Sequence, residues 1–293
     1  MERAAEPGPA RLAAGAELDA SAALLYVATA HFRSPRWVEI QTRHLREHIG
    51  APFQTWASLE GIDSTWGVHF DRVVEQLGSH AGKLNHLAME IAEQAAEEDL
   101  LMFLDGDAFP IAPLAGFIED GLARAPLIAV RRAENVGSPQ PHPCFCVTTV
   151  GTWRALRGDW SAGPLWPGGQ GWDVSDVGSL LMRELELAGM PWEQLLRSNR
   201  HNPDPLYFAV YGDVVYHHGA GFRSENLSAT HRAMAPGLAE PPGPDGPEQA
   251  RGWLARRRAA RWERAKRAQL DRQSERIYER IARGDESWLS ELI

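Results

Sequence analysis

The sequence predicts an α/β domain with a mainly parallel sheet, followed by one long helix, and three features predict it. Apolar runs of strand length alternate with segments of helical periodicity. One run, residues 100–104 (LLMFL), stops at once on Asp105, Gly106 and Asp107. After His231 the composition changes sharply: residues 236–247 hold five prolines and three glycines, and a proline-free stretch rich in Ala, Arg and Glu follows.

In chain order, residues 22–29 (AALLYVAT) are short, apolar and followed by a turn containing Pro35, which fits a buried strand leading into a helix over 37–49. Residues 53–59 (FQTWASL) alternate like a second strand. Leu84, Leu87, Ala88, Ile91 and Ala95 carry helical spacing across 82–98. Residues 100–104 are the next strand, ended by the acidic turn and by Pro110 and Pro113. Two more strands are expected at 127–130 and 144–150, joined by a proline-rich connection over 135–143 that reads as an ordered loop over a site. A helix over 174–188 stops at Gly189. Residues 206–216 (LYFAVYGDVVY) supply one or two closing strands, and 248–283 a long helix ending near Gly284.

Composition narrows the function classes. The 293 residues, 44% hydrophobic and 24% charged, suffice for a buried core and argue against wholesale disorder. No apolar stretch approaches the roughly 20 residues of a membrane span. Residues 1–20 lack the basic and apolar blocks of a signal peptide, so they are expected to be a disordered leader on a cytoplasmic protein. Cys144 and Cys146 stand two apart, a poor disulfide geometry, and read as small core residues. The net charge of -9 is divided: residues 251–283 carry 12 basic and 4 acidic groups, leaving about -17 elsewhere. An acidic body of this kind argues against nucleic-acid binding.

Chemistry concentrates at 100–110 (LLMFLDGDAFP). Two carboxylates two residues apart at the carboxyl end of a buried strand can both face the crevice where open α/β sheets bind ligands. A hard divalent cation takes oxygen ligands and keeps substrate phosphates as partners, so the pair suits a metal-diphosphate complex. The plainer reading of an isolated Asp-x-Asp is an acidic turn.

With this segment the chain resembles the GT-A glycosyltransferases, nucleotide-sugar enzymes of Rossmann-like α/β fold, and among them the family-two branch. Residues 22–29 look like that branch's first nucleotide-binding strand; Gly82, Lys83 and Asn85 in GKLNHLAMEIA look like its Gly-Lys/Arg-x-Asn helix start; Asp105 and Asp107 look like its metal motif. The resemblance covers about 22–223. It implies a GT-A domain over 21–235, which composition follows with a linker over 236–248 and a basic amphipathic helix over 249–293. It also implies a metal-dependent hexosyltransferase-type activity, moving a sugar from a nucleotide-diphosphate donor, with a UDP-sugar favoured, to a hydroxyl of a glycan, lipid-linked or small-molecule acceptor. Asp107 is then the principal ligand of Mn2+ or Mg2+, and Asp105 an outer-shell or ribose partner. Lys83 would add charge near the diphosphate, Asn85 would hydrogen-bond the nucleotide, and Thr29 and Ala30 would meet the base. The bland alternatives are an exposed lysine and a local cap.

Three further segments are candidates. GWDVSDVG (171–178) lies at a helix entrance, where the family places an acid that deprotonates the acceptor hydroxyl. Asp176 is preferred to Asp173 as that base, with a simple helix cap as the alternative. VVYHHGAGFR (214–223) brings His217 and His218 to the end of a closing strand. Adjacent strand residues face opposite ways, so one of the two is expected at the metal or diphosphate. Arg223 is a candidate to clamp the diphosphate in a bidentate manner, with a surface ion pair as the alternative. Of eleven tryptophans, Trp166 and Trp172 flank the PGGQG stretch and are candidates for an acceptor loop, core packing being the default.

The basic C-terminal helix suits packing on its own acidic body, self-association or an anionic membrane surface, and packing is the plainer expectation. Two other functions are compatible with the aspartate pair. One is a metal-dependent phosphatase or nucleotidyltransferase, although Asp107 is followed by Ala108 and Phe109 rather than by the Gly-Thr of haloacid-dehalogenase-type phosphatases. The other is a nucleotide-sugar-binding protein without turnover.

Overall fold

Strands whose residues are apolar on both faces need cover on both sides, and here the first and fourth strands supply the centre of a sheet flanked by helices. A computed structural model of the chain describes residues 23–171, 173–219 and 248–293. The expected leader, most of the linker, Trp172 and Arg223 lie outside those residues. Strand β1 (Leu25–Phe32) is followed by α1 (Val38–His48), β2 (Phe53–Glu60), β3 (Arg72–Val73), α2 (His80–Ala92) and β4 (Leu100–Asp105). Then come β5 (Ala108–Pro110), α3 (Ala115–Arg124), β6 (Leu127–Arg131), β7 (Pro141–Thr149) and α4 (Val150–Ala155). The series continues with β8 (Trp166–Pro167), β9 (Asp173–Val174), α5 (Ser179–Leu187), β10 (Glu193–Leu195), β11 (Ala209–Tyr211), β12 (Val215–His217) and α6 (Glu248–Ala282).

The main sheet runs β10-β6-β7-β4-β1-β2-β3. All pairs are parallel except those of β7, which lies antiparallel between β4 and β6. The architecture is therefore a mixed, mainly parallel sheet flanked by helices, with a C-terminal helix. One face is covered by α2 and α5 through Leu84, Leu87, Ile91, Leu181 and Leu185, packed against Tyr26, Ala28, Leu101 and Phe103. The other is covered through Leu45, Leu114 and Ile118. Cys144 and Cys146 are free thiols buried in β7.

Two elements differ from the sequence expectation. The helix expected from 174 begins at Ser179, because Gly178 is left-handed at φ 91° and a Cβ there would lie 2.0 Å from the Pro141 carbonyl oxygen. The residues before it pair as β9 with β8 instead. The proline-rich loop is shorter than expected, since β7 already starts at Pro141. The closing strands form a separate antiparallel sheet, β11-β12-β5, built from segments about a hundred residues apart.

That small sheet is covered by the end of the chain. Leu270, Ile277 and Ile281 of α6, with Trp288 and Leu292 beyond it, pack on Trp37, Phe109, Phe208 and Tyr216. Lys266 pairs with the buried Asp204 at 2.9 Å, and Arg36 with Glu275 at 3.0 Å. The apolar stripe of this part of α6 thus serves packing on its own chain, while Trp253 near the start of the helix is half exposed. No helix among the described residues is long and apolar enough to cross a membrane.

Replacing the fully buried Leu270 by alanine is expected to cost about 2–5 kcal/mol, by lost transfer energy and a residual cavity. Urea denaturation of the full chain measures it, and an unchanged midpoint would show that α6 does not contribute to the core.

Candidate active site

The β4 run ends where its last residue, Asp105, pairs in register with Ala30 of β1. Both strands end at the same edge, and the chain reverses over Gly106 and Asp107 before β5. Glycine is required in this reversal: a Cβ on Gly106 would lie 2.7 Å from the Ala30 carbonyl oxygen and 2.8 Å from His31 Nδ1. Beneath the turn sits Gln41, fully buried on α1. Its Nε2 donates to the carbonyls of Asp105 and Ala108 at 2.7 and 2.8 Å. Its Oε1 accepts from Thr29 Oγ1 and from His31 Nε2, each at 3.1 Å. Both ends of the amide are therefore satisfied by the strand ends it joins.

A cavity of about 450 Å³ opens above this edge. Asp105, Gly106 and Asp107 form part of its wall, with Ala30, His31, Lys83 and His217 among the other lining residues. Asp105 divides its two oxygens. Oδ1 meets His80 Nε2 at 2.8 Å, and Oδ2 lies 3.4 Å from His217 Nε2. The same nitrogen is 3.4 Å from Asp107 Oδ1. His217 arrives there because β12 runs antiparallel to β5 with His217 opposite Ala108, and the His218 amide donates to the Asp107 carbonyl at 3.0 Å.

Burial alone would raise the Asp105 carboxyl, but attraction to His80, their hydrogen bond and the nearby His217 hold it well below the ordinary carboxylate range. Burial likewise opposes ionisation of Asp107, and His217 more than offsets it. His80 is pushed up, because the Asp105 carboxylate outweighs its burial. His142, also on the wall, is kept neutral by burial and by Arg132. Its Nδ1 accepts from the Cys144 amide at 3.1 Å, so the other ring nitrogen carries the hydrogen.

The donor types suit a hard divalent cation: Asp105 Oδ2 and Asp107 Oδ1 each lie 3.4 Å from His217 Nε2, while the ring's other nitrogen, Nδ1, is buried without a hydrogen-bond partner. The sulfur of Cys144 is also within 4.8 Å of Asp105 and His217 ligand atoms. Burial pushes its thiol well up, so it stays protonated and offers a poor ligand. The same wall carries Lys83 and Arg132, paired with Glu60 and Glu134 respectively, and the amino-terminal end of α2, from which Gly78 and His80 face the cavity.

Several sequence candidates sit elsewhere or are already engaged. The Thr29 hydroxyl is fully buried and spent on Gln41, whereas Ala30 lines the cavity. Lys83 lines it too, with Nζ 2.5 Å from Glu60 and 4.5 Å from the centre of the Phe32 ring. Asn85 points away: its Nδ2 donates to Asp159 at 2.6 Å and its Oδ1 accepts from the Trp160 amide at 2.9 Å, tying α2 to the loop after α4. His218 faces the opposite side of β12, between Tyr216 Oη at 2.9 Å and Ser274 Oγ at 2.7 Å, so it is no ligand for an ion at the aspartates. Asp173 is exposed on β9. Asp176 is half-buried, accepts from the Val177 amide at 2.8 Å and is not among the residues that line the cavity. Trp166 donates to the Ser179 carbonyl at 3.2 Å, a contact with α5 and not with the cavity.

His80, His142, Arg132 and Gln41 were not singled out by the sequence reading. The first could have been found, since it opens the same helix as Lys83. The others become neighbours only through the fold.

No protein-family model matches the chain, and no curated protein matches it. Solved structures that the chain is similar to include glycosyltransferases. A mannosyltransferase from Pyrobaculum calidifontis, in complex with GDP-Man and Mn2+, is 13% identical over 61% of this chain and 58% of that one, at a TM-score of 0.41. The glycosyltransferase GlyE of Streptococcus pneumoniae is 16% identical over 45% of this chain, at a TM-score of 0.34. S. aureus TarS, also solved with UDP-GlcNAc, is 11% identical over 47% of this chain, at a TM-score of 0.36. The chain spans only 30% of TarS and 35% of GlyE.

Two outcomes test the site's construction. Replacing Gln41 by leucine leaves two carbonyls and two donors without their partner and is expected to destabilise the chain by about 2–4 kcal/mol. It should also weaken Mn2+ binding at the turn; calorimetry of the folded variant showing parental affinity would remove Gln41 from the site. His31 is held neutral by burial, which lowers it from 6.5 to about 4 despite the opposing Gln41 bond and Asp107. The unfolded chain therefore takes up this proton first as pH falls, and up to about 3 kcal/mol of stability present above pH 6.5 is lost towards pH 4. His31→Gln should show a shallower loss between pH 7 and 4.5 in denaturant titrations, and an identical slope would refute the assignment.

Proposed function

We propose that the chain is a metal-dependent glycosyltransferase that moves a sugar from a nucleotide-diphosphate donor to an acceptor hydroxyl. The observation that carries this reading is the convergence of Asp105, Asp107 and His217 at the carboxyl edge of the parallel sheet, in a cavity that also presents Lys83 and Arg132. A diphosphate needs just such a combination of cation site and fixed positive charge. The volume is within the range of small-molecule sites.

Asp105, Asp107 and His217 would hold manganese or magnesium, which when bound supplies Lewis-acid stabilisation of the departing diphosphate. His80 holds one oxygen of Asp105 and so fixes which way its other oxygen points. Lys83 and the start of α2 bind the phosphates, and Ala30 lies where the nucleoside enters. Arg223 is the further candidate clamp, and a UDP-sugar the favoured donor. The acceptor oxygen attacks the anomeric carbon as the bond from that carbon to the phosphate oxygen breaks. The bonding pair leaves with the nucleoside diphosphate, and the acceptor proton passes to a carboxylate. Asp176 is preferred for that role, because it is half-buried at the entrance to α5 whereas Asp173 is exposed on β9. A base on the face opposite the leaving group gives inversion.

The deciding experiment is thermal-shift screening of nucleoside diphosphates and nucleotide sugars with and without Mn2+, since a ligand of the native state raises its melting temperature. A Mn2+-dependent shift with one nucleotide is expected, abolished in Asp107→Ala. Asp176→Asn should keep the shift while transfer to glycan, lipid-linked or small-molecule acceptors falls by about 10²–10⁴. A normal metal-dependent shift in Asp107→Ala would sink the metal assignment. Phosphate release from generic phosphoesters with no nucleotide response would favour a phosphatase.

A further inference from the structure

Away from the cavity, α1 carries His44, Glu47 and His48, spaced i, i+3 and i+4 so that all three share one helical face, half-buried at the two histidines and exposed at Glu47. One ligand atom from each lies within 4.8 Å of the other two. We propose that this face is a second metal site, for a borderline divalent ion of the zinc type, distinct from the aspartate site and independent of the function assigned to it.

The geometry around His44 carries the proposal. Its Nδ1 is 3.1 Å from the carbonyl oxygen of Pro110. A carbonyl only accepts, so Nδ1 bears the hydrogen and Nε2 keeps its lone pair. Metal-binding imidazoles are oriented in this manner, with the second nitrogen donating to a carbonyl or carboxylate. The ring is further fixed against Phe109, centroids 4.4 Å apart, and the His48 ring lies 5.7 Å away at 30° to it. Burial, reinforced by the neighbouring Arg43, keeps His44 neutral with a pKa of about 4, the form that binds metal. Arg43 itself is turned to the Ile281 carbonyl at 3.2 Å.

Glu47 is exposed and His48 half-buried in the last turn, so both side chains can rotate. The atoms would close to the roughly 3.3 Å separation that bonds of 2.0–2.2 Å make at a tetrahedral centre. Two imidazoles, one carboxylate and an open position are a set that zinc accepts, and two histidines four residues apart on one helix are a spacing that zinc proteins use. The oxygen-richer set at Asp105 and Asp107 suits a harder ion. An ion on α1 would bear on β5 through the Pro110 carbonyl and Phe109, just beyond Asp107.

Zinc titration against a chromophoric chelator, with the untagged full chain, tests this. In the Asp105→Asn/Asp107→Asn background one equivalent of Zn2+ should still bind and raise the melting temperature. Adding His48→Gln should weaken that binding at least tenfold and remove the shift, with the metal-free melting temperature unchanged. Co2+ in the same background should show visible absorption that His48→Gln abolishes. If the double aspartate variant does not fold, the parent chain should lose one equivalent on His48→Gln alone. Zinc affinity unaffected by His48→Gln and by His44→Gln, or binding that never saturates near one equivalent, would overturn the proposal.

Discussion

The amide of Gln41 is the constraint on which the rest of the site depends. A strand that ends in two carboxylates must reverse immediately, and a reversal leaves backbone carbonyls pointing into the protein, where an unpaired polar group costs about 1–3 kcal/mol. Gln41 supplies two donors to the carbonyls of Asp105 and Ala108 and one acceptor to Thr29 and His31. One side chain thereby locks the end of β1, the end of β4 and the start of β5 into a single rigid edge. The glycine between the aspartates completes the fit by allowing the turn to press on the Ala30 carbonyl.

On this edge two carboxylates lie close together and largely out of water, an arrangement that repulsion and desolvation both oppose. Histidines offset it from different parts of the chain: His80 from the start of α2 and His217 from β12. The charge that a divalent cation would bring acts in the same direction. Lys83 and Arg132 stand on the walls of the same cavity.

The small sheet explains why the C-terminal helix is part of the same structure. Strands of three residues are weak on their own, and β5, β11 and β12 keep their register because Phe109, Phe208 and Tyr216 are covered by α6 and the turn after it. His218 belongs to this cover through Ser274. Its neighbour His217 can face the aspartates because the pleat turns consecutive residues to opposite sides. Of the two adjacent histidines, His218 thus serves packing and His217 faces the aspartates.

The sequence by itself determined the local features: strand-length apolar runs, amphipathic helices, the aspartate pair at a strand end, free thiols as core residues and one histidine of the pair turned to the site. These are legible because side-chain periodicity and glycine or proline punctuation act within a few residues. It did not reveal the antiparallel insertion of β7, the pairing of β5 with β12, or the start of α5 at Ser179, which hangs on the contact of Gly178 with the Pro141 carbonyl. Nor did it show that Asn85 is spent on Asp159, that Thr29 is spent on Gln41, or that His80, His142 and Arg132 join the aspartates. Those are decided by tertiary structure, because a hydrogen bond or ion pair depends on which distant segments share a cavity, and burial then sets both the worth of the contact and the charge each group carries.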